Sequence, residues 1–195
     1  MPRMNKKEKI IKAALDLFCE KGFADTDVDS VAKKAGVGKG TVYLYFKDKK
    51  DLFISSITFA LKFFNTDLEK SVASVEGDRE KLKLYIDHSL SVLTNNKNIT
   101  RLFVTEVLET MRRCQSQSNL FDKSIFLKRF TLLKKILESG MKNNEFKKAD
   151  KESISVMIMG GIHMIMTKYL VSSAKIDKKE LLDYRESVLK LITKE

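Results

Sequence analysis

Lys39, Gly40, Thr41, Tyr43, Leu44 and Lys47 make a small, aromatic and basic set, and the chemistry open to them is contact with nucleic acid rather than catalysis. Val42 and Phe46 lie one helical turn apart and would face a core. A rotation of about 100° per residue then turns Gly40, Tyr43, Leu44 and Lys47 outward, with Lys39 and Thr41 on the flanks. Lys39, near the start of such a helix, can meet a phosphate whose charge the helix dipole and free N–H groups also favour. Gly40 leaves nothing between backbone and DNA. Tyr43 can donate its hydroxyl to a phosphate, whereas Leu44 can pack on a thymine methyl but carries no hydrogen-bond code. Base reading should therefore lean on Lys39, Thr41 and DNA shape.

These residues need two short helices locked across a tight turn. Ala32 supplies the small residue at the close contact, Gly36 the turn position that tolerates positive φ, and Val42 the apolar anchor of the second helix. Val-Tyr-Leu-Tyr-Phe taken alone also suits a buried strand. Its neighbours favour a helix pair: Thr26 and Asp27 offer N-cap oxygens, and Val28, Val31, Ala32 and Ala35 repeat at helical spacing up to Gly36. Ahead of them, Asn5 to Lys21 places Ile10, Ile11, Ala14, Leu15 and Phe18 on one face of an amphipathic helix. Gly22 should stop that helix in a left-handed, Schellman-type cap and fold Phe23 back on Phe18.

Gly22-Phe23, Thr26, Val28, Val31-Ala32, Ala35-Gly36-Val37, Lys39-Gly40-Thr41, Tyr43, Tyr45-Phe46 and Lys49 through Leu52-Phe53 resemble the N-terminal domain of the TetR family of transcriptional regulators, over residues 8 to 53. The resemblance implies an all-α fold: three helices with a helix-turn-helix that bind DNA, then a larger helical domain that binds ligand and dimerises. It also implies that Thr26 and Tyr43 hold phosphates, that Lys39, Gly40 and Thr41 approach the groove, and that Lys49 holds a phosphate from the start of the fourth helix. The chain departs from the family pattern twice. Gly38 stands where many members carry serine or threonine, which removes an N-cap, and Leu44 stands where many carry a polar or aromatic residue.

Composition agrees with helices. Among 195 residues the single proline is Pro2, there are 8 glycines, and Leu, Lys, Glu, Ala and Met recur at helical spacing. The net charge is +11, and the six lysines between Lys33 and Lys50 face only Asp48, so about half of the excess falls around the reading helix. Two cysteines, Cys19 and Cys114, are too few and too far apart for a zinc site or disulfide framework, which suits a reduced, cytoplasmic setting. The first nine residues are polar and charged, unlike a signal peptide, and the apolar run from Ile154 to Met166 is shorter than the roughly 20 residues of a membrane span. No membrane partner is expected, and that run should be a buried helix. Neither metal, cofactor nor catalytic residues are expected: there is no paired-histidine motif or nucleophile with a nearby base, and Gly36-x-Gly38-x-Gly40 lacks a preceding strand.

Residues 1–48 therefore form the DNA-binding domain and 49–195 the effector and dimer domain. Beyond Lys49 the pattern predicts helices through Val75 and over Asp78–Thr94, Ile99–Arg113, Leu120–Met141, Lys151–Ser172 and Lys178–Thr193. The last two look like a dimer surface, with Met157, Gly160 and Met164 on one and Leu181, Arg185, Val188, Leu189 and Ile192 on the other. A helix apolar all round must be covered on all sides, and a four-helix bundle between two subunits does so. For a small apolar effector, Phe63, Tyr85, His88, Phe103, Val107, Met111, Phe130 and His163 are candidate contacts among the middle helices, although ordinary core packing is the better account of each taken alone. Gly40 to Phe46, Thr105 to Glu109 and the helix from Met157 to Tyr169 further resemble the family branch that controls fatty-acid degradation and answers to long-chain acyl-coenzyme A. On that resemblance Arg112, Arg113 and Lys128 can meet coenzyme A phosphates, while another apolar effector stays open. The expected function is a homodimeric, effector-released repressor on a palindromic double-stranded operator; a DNA-bound adaptor without a small-molecule effector is the alternative.

Overall fold

The computed structural model describes residues 5–95, 124–172 and 175–194, which hold eight helices. The chain divides into two compact units, the first running through Phe63 and the second taking Phe64 onward among the described residues. In the first unit α1 is Lys6–Lys21, α2 Val28–Ala35, α3 Lys39–Tyr45, and α4, Lys49–Ala73, begins there and continues into the second.

Asn5 is the cap of α1 rather than its first residue: its side chain accepts from the Glu8 amide at 2.8 Å while Glu8 accepts from the Asn5 amide at 3.3 Å. At the other end the structure corrects the expected left-handed cap. Gly22 has φ 83° and ψ 174°, so the chain leaves extended, in a region that only glycine enters freely. Phe23 nonetheless stacks on Phe18, with centroids 6.1 Å apart, and Phe53 meets both rings edge-on at 4.9 and 5.0 Å. Phe53 belongs to α4, which is why the first unit extends past residue 48. Of the two candidate caps of α2, Asp27 does the work, accepting from the Ser30 amide at 2.7 Å.

The second unit contains the rest of α4, α5 (Asp78–Asn95), α6 (Ser124–Lys142), α7 (Lys151–Ser172) and α8 (Lys178–Ile192). Leu82, Tyr85, Ile86, Leu133, Leu137 and Phe146 form the centre of its core. Two glycines set close approaches. A Cβ on Gly161 would strike the phenol of Tyr184, which crosses α7 there to donate to the Ile158 carbonyl at 2.7 Å, and burial pushes that phenol up to about 12. Gly140 lies under the fully buried ring of Phe146, and this ring sits where a Cβ would stand. Gly140→Ala should therefore lower stability by about 3 kcal/mol, the upper range of overpacking, in urea unfolding followed by circular dichroism. A loss below about 1 kcal/mol would show that the ring can yield.

Only one face of α7 is buried, by Ser155, Ile158, Ile162, Ile165 and Tyr169. The chain's own core covers only that face, and Met157 and Met164 are 67% and 65% exposed. Counted over Lys151–Ser172, the helix is long and apolar enough to cross a membrane, a test of length and composition that the core helix of a soluble protein also passes.

Candidate nucleic-acid interface

The α2–α3 pair is assembled as its residue types dictate. Gly36 takes φ 68° and ψ 38°, the left-handed conformation that closes α2, and its N–H reaches back to the carbonyls of Ala32 and Lys33. Val31, Ala32, Val42 and Phe46 are buried, which fixes the rotation of α3. Gly40, Tyr43 and Leu44 then stand outward, Leu44 at 83% exposed and Tyr43 at 48%. A Cβ on Gly40 would meet nothing within 4 Å. Thr41 is half-buried on the flank, and Gly38 precedes α3 without a side-chain cap. The Lys47 side chain is exposed, while its amide donates to Asp51 at 2.9 Å beside the start of α4.

Three of the expected contacts are otherwise engaged. Thr26 is buried, and its hydroxyl donates to the Gly22 carbonyl at 2.7 Å and the Leu17 carbonyl at 3.2 Å. That corrects its assignment as a phosphate ligand through the hydroxyl: the side chain is spent on closing the turn between α1 and α2. Lys49 donates to the Ala24 carbonyl at 2.9 Å with its ammonium 4.7 Å from the Phe23 ring centroid, so its charge also secures that turn. Lys39 lies on Asp29, Nζ to Oδ2 2.6 Å, and the hydrogen bond to this carboxylate holds its pKa above the ordinary lysine value. Spacing along the chain does not single out Asp29, because a partner ten residues away becomes visible only once the crossing of α2 and α3 is known.

The remaining candidates sort by exposure. On α7, Met157, Gly160, His163 and Met164 face outward. On α8, Leu181, Leu189 and Ile192 turn into their own core, which corrects their place on a dimer surface, while Val188 is half-buried; Leu182 and Leu191 are the exposed apolar residues there. Arg185 is likewise taken up within the chain, clasping Asp87 of α5 at 2.8 and 3.0 Å. Among effector candidates, Tyr85 is fully buried, its hydroxyl donating to the Arg129 carbonyl at 3.2 Å, and burial raises its pKa. His88 Nε2 lies 3.0 Å from Asp67 Oδ2 and Phe130 carries Lys134 over its ring at 4.8 Å. Phe63 and His163 are exposed, so neither lines an enclosed cavity among the described residues, contrary to expectation. Phe103, Val107 and Met111 lie outside the described residues, as do Arg112, Arg113 and the expected helix Ile99–Arg113. A cleft of about 530 Å³ opens beside α6, lined by Leu127, Lys128, Thr131, Leu132 and Lys135 together with Glu69 of α4.

Comparison with known proteins agrees with this architecture. Residues 10–55 match the family model of bacterial regulatory proteins of the tetR family, and residues 58–195 match that of the YsiA-like C-terminal region. The fatty acid metabolism regulator protein of Bacillus subtilis is 30% identical over 185 residues, covering 94% of this chain and 92% of its own. The regulator QacR of Staphylococcus aureus is 26% identical over 168 residues, 84% of this chain and 86% of its own. Among solved structures, FadR from Bacillus subtilis in complex with stearoyl-CoA is 30% identical, with TM-score 0.76 over 94% of this chain and 96% of that one. FadR from Bacillus halodurans, at 24% identity and TM-score 0.77 over 98% and 96%, shares the fold. With both halves of the chain matched and a helix-turn-helix in place at residues 28–45, the protein belongs to the TetR family of transcriptional regulators.

Proposed function

We propose that the protein is a homodimeric repressor that holds a palindromic operator and releases it when a long-chain acyl-coenzyme A binds the larger unit. The observation that carries the effector class is the likeness along nearly the whole chain to a regulator solved with stearoyl-CoA. The chain's own residues support it. Lys128 and Lys135 in the lining of the α6 cleft offer charge for phosphates, and Leu127 and Leu132 of the same lining offer apolar surface. The outward apolar face of α7 supports a dimer, which two half-sites about 34 Å apart require. Helix α4 belongs to both units, so an effector held against its second half can pull on the end that packs against Phe18 and Phe23.

The test uses an operator selected by the protein from random duplexes. Stearoyl-CoA should weaken operator binding roughly 5- to 150-fold in fluorescence anisotropy, the range of ordinary allosteric coupling, and coenzyme A alone should not. Indifference to acyl-CoA at every chain length would remove the effector reading and leave the DNA-binding one standing.

A further inference from the structure

The ion pair between Asp29 and Lys39 joins α2 to α3 next to the outward face of Gly40 and Tyr43. Both side chains are more than half exposed, so the pair contributes little to stability in water. The geometry of the two helices is secured without it: Asp27 caps α2, Gly36 closes it, and Val31, Ala32, Val42 and Phe46 are buried. A carboxylate in the first turn of α2 suits the helix dipole. Any acid in that turn would, however, and the dipole does not account for Lys39 lying on this one. At a surface that meets phosphates, an acid repels the backbone and occupies a cation.

We infer that Asp29 is a specificity-determining residue of the DNA interface: it holds the Lys39 ammonium against α2 and withholds that charge from an arbitrary phosphate backbone. The inference rests on α3 being the element that enters the groove. Binding to unselected DNA is driven by release of counterions as cations neutralise phosphates, and a cation already neutralised by Asp29 releases none. An ammonium has three donors and Asp29 takes one. The other two are not taken by the carboxylate and are available to a groove that presents acceptors there. The pair thus lowers affinity for unselected duplexes, while the directed contact of Lys39 offsets that loss at the operator.

The experiment measures the full-length protein on a mixed-sequence duplex and on the selected operator across a KCl titration. Asp29→Asn should tighten mixed-sequence binding several-fold, steepen the slope of log K against log salt by about one, and reduce discrimination by at least the same factor. Asp29→Ser should do the same, Asp29→Glu should preserve wild-type behaviour, and Asp29→Asn with Lys39→Gln should return the slope to the wild-type value. Lys39→Gln alone should weaken operator binding. If it does so while Asp29→Asn and Asp29→Ser, folded by circular dichroism, change neither slope nor discrimination, the inference is overturned. If Lys39→Gln leaves operator binding untouched, the groove reading of α3 falls and this inference with it.

Discussion

Replacing Met157 and Met164 together by aspartate should give a folded monomer whose operator affinity is lower by on the order of a thousandfold. Both side chains are about two-thirds exposed on α7, on the face opposite Ile158, Ile162 and Ile165, so the substitutions leave the core of the second unit untouched. Val156 adds to the exposed apolar surface of α7. An exposed apolar area of that kind marks an association site, and a two-fold axis through it would bring each substitution in twice, setting four carboxylates into one interface. Desolvating them costs more than the lost methionine contacts alone. The loss at the operator then follows from losing the second half-site, whose binding is intramolecular in a dimer and bimolecular in a monomer. Sedimentation gives the mass and anisotropy the affinity; a variant that remains dimeric at micromolar concentration would place the interface elsewhere.

Why the sequence identified α7 and α8 but misassigned part of their surface is a matter of what periodicity encodes. An apolar stripe says which side of a helix avoids water, not whose atoms cover it. Leu181, Leu189 and Ile192 are covered by their own chain, and Leu182 and Leu191, on the two flanks of that stripe, are not. Gly160 and Gly161 look alike in sequence, yet a side chain at the first would meet open space and at the second Tyr184. The helix-turn-helix was far more legible, because Ala32, Gly36 and Val42 fulfil local requirements of size and φ that hardly depend on the rest of the chain. Polar contacts were the least legible there. The Thr26 hydroxyl, the Lys49 ammonium and the Lys39–Asp29 pair each depend on where a second element crosses, information that spacing along one helix does not contain.

Gly40 allows fold and function to be separated at a single position. It lies inside α3 with nothing within 4 Å of where a Cβ would be, so the free protein has room for a side chain there. Gly40→Ala should raise stability by about 0.5 kcal/mol, since alanine loses less backbone entropy in a helix. Gly40→Leu should leave the fold intact for the same reason of space. On DNA the order reverses. Tyr43 and Leu44 stand outward on the same short helix, and the backbone at Gly40 is the place where α3 can come closest to the duplex. A leucine there would hold the helix away by the depth of its side chain, lengthening the hydrogen bonds that the proposed groove contact assigns to Lys39 and Tyr43 and leaving polar groups of the groove without partners. Losing about 3 kcal/mol in this way corresponds to an operator affinity lower by roughly 150-fold. Thermal unfolding and anisotropy on the same samples check both halves of the expectation. Operator binding by Gly40→Leu within about threefold of wild type, some 0.6 kcal/mol, would mean that this face of α3 does not enter the groove.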